Sequence, residues 1–391
     1  MELFLIWSLR LVFVVYMTLV LLHSTSRWRY ARRHTRRSQH RKQSYLRGPG
    51  REPSVDVIIP CYNEDPGLLE GCFASLAKQD YTGQLRVWVV DDGSRNRHAL
   101  RPVYQAGEER GWRVHLLERR RGKRHAQDEV IRLGSGEYVV LMDSDTQLAR
   151  DGIRRIVGRC AERQTAAVAA NVSVLNERTN LLTRLIRWRY QLLSEHERAA
   201  QGSFNSVLCC PGPFSVFRRA ELMEVWPTYL EHQFIAGDDL HLTILLLRDG
   251  HDVVYESSAR AFTKVPDQLP KYLRQQLRWH RSFYREVRPA LGSLSERHPY
   301  LTLDIAARAM LPLLLGTTLV LSIGEALAAG AELFMHDLRL VAAVLVVNAA
   351  SVMLGTRNAW SALMYRPLHL LLIVVRVYAL MTLHRDRWET R

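Results

Sequence analysis

Four short β-branched runs set the frame of the chain: VDVIIP (55–60), LRVWVVDD (85–92), WRVHLL (112–117) and EYVVLMDSD (137–145). Stretches with helical spacing separate them, among them PGLLEGCFASLAKQ (66–79) and RHAQDEVIRLG (124–134). Apolar strands alternating with helices predict an α/β domain whose parallel sheet is covered on both faces. Ligands of such sheets bind at the carboxyl ends of the strands. Acids stand there: Asp91 and Asp92 close one strand, and Asp143 and Asp145 follow another. Neither GxGxxG nor GxxxxGKS/T occurs, so a dinucleotide oxidoreductase and a P-loop nucleotidase are both unsupported.

A second pattern flanks this segment. Residues 3–22, LFLIWSLRLVFVVYMTLVLL, form an apolar run interrupted by Ser8 and Arg10, about the length that crosses a bilayer. Nine arginines and one lysine follow between Arg27 and Arg51. A signal peptide carries its charge before the apolar stretch, so this order predicts a retained anchor with residues 25 onward in the cytoplasm. The basic block reads as a topology signal resting on anionic headgroups. Further spans are expected near 303–329, 338–355 and 366–384, with Arg308, Asn348 and Arg376 inside or at an edge. Polar residues in such places are either helix glue or the lining of a path; the lining is the sharper expectation.

The net charge of +15 calls for an anionic partner: nucleic acid, acidic lipid or a phosphorylated substrate. Cys61, Cys72, Cys160, Cys209 and Cys210 have no ligand spacing with histidine, and an odd count that includes an adjacent pair argues for reduced thiols. DSD at 143–145 suits a hard divalent cation shared with a diphosphate, or is an ordinary strand-to-turn acid pair. VVDDGS (89–94) is by itself an Asx-rich turn, and RRRGKRHA (119–126) a basic turn able to meet phosphate. Asp238 and Asp239 of AGDDLHL precede a helix, where its dipole favours acids; a carboxylate there could also deprotonate a hydroxyl.

The order of the pieces is more specific than any one of them. VDVIIPCYNED, VVDDGS, GKRHAQ, VVLMDSD, CCPGP, GDD and QQLRW run in turn toward the apolar C-terminal third. From about residue 53 onward the chain resembles the processive, membrane-integrated family 2 glycosyltransferases: cellulose, chitin and hyaluronan synthases and the rhizobial nodulation chitooligosaccharide synthase. The resemblance implies a cytosolic nucleotide-sugar domain of GT-A, Rossmann-like type at 53–262. Around it are expected an anchor at 1–24, a basic linker at 25–52, interfacial amphipathic helices at 263–300 and a channel region at 301–391. About four transmembrane helices would make the protein multi-pass in the plasma membrane.

The resemblance also implies roles. Asp92, with Asp91, matches the uridine-binding position, and Lys123 the basic residue near the nucleotide. Asp145, with Asp143, matches the motif that holds Mg²⁺ or Mn²⁺ on the diphosphate. Asp239, beside Asp238, matches the general base. Gln275, Arg278 and Trp279 match QxxRW, whose arginine steadies the leaving UDP and whose tryptophan floors the acceptor site; Cys210, Gly212 and Pro213 match a loop lining that site. No covalent nucleophile is needed for an inverting transfer, only a base and cationic help for the leaving diphosphate.

For the product the expectation is hyaluronan, from UDP-GlcNAc plus UDP-GlcA, with export of the growing polysaccharide; the alternative is a chitin-like oligomer from UDP-GlcNAc alone. Leu240 and Pro211 depart from the pattern of both groups. A nucleic-acid-binding membrane protein would leave DDGS, DSD and GDD unexplained, so no nucleic acid partner is expected, and QxxRW argues against a non-processive lipid-linked transferase. In YLRQQLRWHRSFYRE (272–286), Arg274, Arg281 and Arg285 with Phe283 and Tyr284 are expected to rest on headgroups.

Overall fold

The computed structural model describes residues 2–41, 52–161, 165–232, 236–329 and 366–385, and the isolated positions 342, 346 and 350. The strands are β1 (Val55–Cys61), β2 (Leu85–Asp91), β3 (Arg113–Leu116), β4 (Tyr138–Met142), β5 (Thr146–Leu148), β6 (Thr165–Val174), β7 (Phe214–Arg218) and β8 (Asp252–Thr263). The helices are α1 (Glu2–Arg41), α2 (Pro66–Ala77), α3 (Arg97–Glu108), α4 (Lys123–Ile131), α5 (Gly152–Cys160) and α6 (Leu181–Leu192). After a π-helical turn (Leu193–Arg198) come α7 (Ala199–Gly202), α8 (Arg219–Leu230), α9 (Asp238–Arg248), α10 (Leu269–Leu294), α11 (Pro299–Ala329) and α12 (Arg366–Met381).

The strands form one eight-stranded sheet in the order β3-β2-β1-β4-β7-β6-β8-β5. β3, β2, β1 and β4 are parallel, and the pairing of Cys61 with Asp91 aligns their carboxyl ends at one edge. The remainder corrects the expectation of a wholly parallel sheet. β7 starts at that same edge, where Phe214 faces Met142, and so runs antiparallel to β4 and β6.

Both faces are covered, and the side-chain alternation of each strand divides its residues between two cores. Val55, Val57 and Ile59 join Tyr138, Val140 and Met142 on one face. Ile58, Val139 and Leu141 lie on the other. Each fully buried Val or Ile contributes about 1.5–3 kcal/mol, which makes the parallel half a rigid platform for the residues at its edge.

α1 continues without a break as far as Arg41, into the basic segment expected as a linker. Ala31, His34 and Ser38 are buried on one face while Arg32, Arg33, Arg36 and Arg37 are exposed on the other. That buried face docks on the protein rather than lying free. Tyr30 meets the rings of Phe204 at 4.6 Å and Tyr300 at 4.8 Å, and His34 that of Tyr255 at 5.5 Å.

Arg10–Ser38 and Pro299–Leu321 are long and apolar enough to cross a membrane, and Leu368–Met381 is apolar but shorter. The span expected at 338–355 lies outside the described residues. Exposed Leu11, Val14 and Val15 on α1, Met310 and Val320 on α11, and Val374 and Met381 on α12 leave apolar surface uncovered by protein.

Arg308 makes the contacts of the helix-glue alternative. It bonds Asp304 Oδ2 at 2.9 Å and Glu197 Oε2 at 2.8 Å, and Arg376 donates to its carbonyl at 2.8 Å, so both arginines join helices. Asp304, with no exposed side-chain surface, also accepts from His23 at 2.8 Å and Gln201 at 2.7 Å. Arg27 completes this knot, 3.4 Å from both Asp304 and Glu197.

In the expected interfacial stretch of α10, Arg274 is exposed, but three other members bond within the protein. Arg281 is buried and donates twice to Thr382 Oγ1 at 3.0 Å; Arg285 donates to the carbonyls of Leu383 and Arg385 at 3.0 Å. Tyr284 donates to the carbonyl of Ala309 at 3.2 Å. The two arginines thus find their acceptors in the turn that follows α12, and Tyr284 in α11.

Candidate active site

The cleft is built at the carboxyl edge of β1, β2 and β4. After β2 the two adjacent acids part. Asp91 is fully buried and accepts from Ser94 N at 2.8 Å, Arg97 Nη2 at 2.7 Å and the Tyr104 hydroxyl at 2.7 Å. Burial alone would raise its carboxyl; the bonds from Arg97, Ser94 and Tyr104 outweigh that and hold it below the ordinary range. It therefore shapes the turn. Asp92 accepts instead from the backbone N–H groups of Arg121 at 2.6 Å and Gly122 at 2.9 Å. Burial pushes its carboxyl up against those two bonds.

Gly93, at φ +71°, permits this union of turn and basic loop: a Cβ there would lie 2.6 Å from the Arg120 backbone nitrogen. Arg120 sits over the Tyr62 ring at 4.4 Å, giving the end of β1 a flat cation–aromatic wall.

Lys123 opens α4 directly after Gly122, and its ammonium lies 2.6 Å from Asp143 Oδ1. Burial would lower its affinity for the proton, but Asp143 and Asp239 outweigh burial and keep it firmly charged. Asp145 accepts from the Thr263 hydroxyl at 3.1 Å, which ties the DSD turn to β8.

Gly237, left-handed at φ +92°, turns the chain into α9, whose first residues are Asp238 and Asp239. Again neighbours diverge. Asp239 Oδ2 accepts from Gly212 N at 3.0 Å and faces the cleft. Asp238 turns back to Arg124 at 3.0 Å, and burial pushes its carboxyl up to about 6. It is buried, yet it lines the same cavity as Asp239, Cys210 and Gly212.

Gly212 is where the cleft converges. A Cβ on it would be 3.2 Å from Asp239 Oδ2, 3.3 Å from Asp143 Oδ2 and 3.3 Å from Lys123 Nζ. Its neighbour Cys210 is buried, its thiol pushed up to about 12 by desolvation, and its N–H is held by Thr243 Oγ1 at 2.9 Å. Pro213 precedes β7, whose Ser215 hydroxyl returns to the Pro211 carbonyl at 2.8 Å. Cys61, Cys72 and Cys160 are also buried, and none of them is in a disulfide.

α10 brings QxxRW alongside. The Ser282 hydroxyl donates to the Ala236 carbonyl at 3.2 Å, and a Cβ on Gly237 would fall 1.5 Å from that hydroxyl. The charge of Arg278 reaches Asp238 and opposes its upward shift. Gln275 contacts Gln276 at 3.4 Å. Gln276, not singled out from sequence, is fully buried and bonded by Arg189, which also bonds the Tyr272 hydroxyl at 3.1 Å. The Arg189 guanidinium lies 5.8 Å from the Trp279 ring.

The acids fit a hard divalent cation: Asp143 and Asp145 offer carboxylate oxygens at an edge where Gly212 leaves room that any side chain would fill. Among the described residues a second cluster, His232, His241 and Glu286, brings possible ligand atoms within 4.8 Å. Its two imidazoles stack at 3.7 Å and 16°, so their in-plane lone pairs do not converge on one point. Glu286 instead bonds His241 Nδ1 at 2.8 Å, clasping α9 to α10.

The chain is similar to known glycosyltransferases in sequence and in fold. The model of glycosyl transferase family 2 matches residues 56–226. An N-acetylglucosaminyltransferase of Rhizobium sp. (strain N33) is 40% identical over 351 residues, 87% of this chain and 77% of the relative. That of Sinorhizobium fredii is 39% identical over 356 residues, 88% and 85% of the two chains. A mannosyltransferase of Pyrobaculum calidifontis, solved with GDP-Man and Mn²⁺, superposes with TM-score 0.64 at 22% identity over 96% of this chain and 99% of its own, which shows a shared fold. A nucleotide-sugar cleft, a family model and these relatives lead to one assignment: the chain is a nucleotide-sugar-dependent hexosyltransferase of glycosyl transferase family 2, in the group of the rhizobial N-acetylglucosaminyltransferases.

Proposed function

We propose that the enzyme transfers N-acetylglucosamine from UDP-GlcNAc to a growing chitooligosaccharide. The convergence of Lys123, Asp143 and Asp239 on Gly212 carries this reading, because it puts a carboxylate and a cation-binding edge at one point. The relatives are N-acetylglucosaminyltransferases, which favours the chitin-like product over the hyaluronan expected from sequence. UDP-GlcA is accordingly left out.

Asp92 and the loop at 119–122 receive the nucleoside, with Tyr62 and Arg120 as a wall. Asp143 and Asp145 would hold Mg²⁺ or Mn²⁺, which when bound neutralises charge on the diphosphate. Lys123 and Arg278 add cations on the protein's own account. Asp239 takes the proton of the attacking hydroxyl. Trp279 offers an aromatic face to the apolar side of the acceptor sugar, with Cys210, Gly212 and Pro213 lining the approach. Gln275, placed against Gln276, supports the nucleotide side of α10. In this reading α1 and α11 sit in the plasma membrane, the cleft is cytoplasmic, and the product leaves through the C-terminal helices.

Membrane vesicles given radiolabelled UDP-GlcNAc, with and without UDP-GlcA, test the product. Polymer formed from UDP-GlcNAc alone and cut by chitinase is expected. Polymer that requires UDP-GlcA and yields to hyaluronidase would overturn the reading.

A further inference from the structure

We propose that Arg124 is a positioning residue that holds the base-bearing turn in register and links it, through its neighbour Lys123, to the diphosphate end of the cleft. The inference rests on Asp239 acting as the base. Lys123 and Arg124 are the first two residues of α4, and each grips a different acidic motif. Lys123 reaches Asp143 at 2.6 Å. Arg124 Nε lies 3.0 Å from Asp238 Oδ1, the two side chains being only 10% and 11% exposed.

Arg124 does more than pair with Asp238. Its Nη1 donates to the carbonyls of His232 at 2.8 Å and Tyr229 at 3.2 Å, and its guanidinium stands 5.6 Å from the Tyr229 ring centre. Tyr229 lies in the last turn of α8, His232 just beyond it, and Asp238 opens α9. One guanidinium therefore ties the end of α8 to the first turn of α9, which carries Asp239. From the opposite side α10 contributes the Ser282 bond to the Ala236 carbonyl and the Glu286 bond to His241.

A planar guanidinium meets its ion partner and two carbonyls in directions fixed by its rigid fork, a geometry that the compact ammonium of lysine does not reproduce. Removing it leaves a buried carboxylate without its ion partner and two carbonyls without donors. Asp239 then loses the fixed origin of its helix, and a misplacement of about 1 Å costs on the order of 100-fold in rate. Because Lys123 is the adjoining residue, a diphosphate drawn to its ammonium acts on the same helix end that aligns the base. Sequence reading passed over Arg124 as one more cation in RRRGKRHA.

The test uses the full chain in lipid nanodiscs, comparing Arg124→Gln, Arg124→Lys and the double variant Arg124→Gln/Asp238→Asn. Turnover, KM for UDP-GlcNAc and UDP binding with Mn²⁺ are measured on each. Arg124→Gln is expected to lower kcat by about 100-fold with KM and UDP binding unchanged. Arg124→Lys should fall between, and adding Asp238→Asn should recover part of the loss by removing the unpaired carboxylate. A raised KM with unchanged kcat, or a loss that Asp238→Asn leaves untouched, overturns the inference. Its failure is separable from that of the base assignment. An inactive Asp239→Asn beside a fully active Arg124→Gln sinks only the role of Arg124, whereas an active Asp239→Asn sinks the base itself.

Discussion

The cleft and the knot beneath α1 use the same side chains to opposite ends. In the knot, Asp304 has no exposed surface and is met by His23, Arg27, Gln201 and Arg308, so each of its oxygens already has protein donors. In the cleft, Asp143 is 31% exposed and meets Lys123 beside a glycine that leaves space open. A charge cluster completed inside the protein fixes helices to one another. One left open toward solvent can accept a ligand. The difference lies in the surroundings, and charge counts alone do not reveal it.

Breaking the completed cluster should cost most. Asp304→Ala would strand Arg27 and Arg308 against a buried void and destabilise the fold by about 3–5 kcal/mol. Thermal unfolding in nanodiscs measures this, and an unchanged midpoint would remove the knot's structural role. The inward acid of GDD comes next. The Asp238 carboxyl is raised to about 6, chiefly by burial, from an ordinary 3.8. A raised acid favours its protonated form in the fold, so its stabilisation is full below about 4 and lost as pH climbs through about 6. Asp238→Asn should flatten that decline by about 2 kcal/mol between pH 4 and 7. A stability curve parallel to that of the parent enzyme would contradict it. The smallest effect, about 1–2 kcal/mol of backbone cost at φ +92°, is expected for Gly237→Ala once the collision of its Cβ with the Ser282 hydroxyl is removed. Ser282→Gly should relieve the collision and leave the backbone cost, a partial rescue visible in the same melts.

Much of the cleft was readable because its motifs are local in the chain. Strand ends place Asp92 and Asp143, and a glycine before an acidic helix start places Asp239. What stayed hidden depended on direction or on distant partners. Side chains along a strand alternate, and those on a helix turn by about 100° per residue, so adjacent acids point in different directions. Asp91 turns to Arg97 and Tyr104 and Asp238 to Arg124, partners that come from elsewhere in the chain.

The fold was legible to the same extent. β-branched runs gave the parallel half, whereas the reversal at β7 follows from a loop that enters at the ligand edge. The basic segment after the anchor suggested a linker because its charges are conspicuous. Its buried Ala31, His34 and Ser38 become a docking face only when Phe204, Tyr255 and Tyr300 are brought beneath α1. Arg281 and Arg285 looked interfacial for the same reason, until the end of α12 supplied their acceptors.

The central claim is that the open cluster performs the transfer, with Asp239 as its base. Donor binding and turnover measured together on one preparation of Asp239→Asn in nanodiscs test it most directly. The account predicts UDP-GlcNAc binding with Mn²⁺ at the parent affinity and turnover reduced by about 10²–10⁴-fold. Turnover at the parent rate, with binding intact, would contradict it.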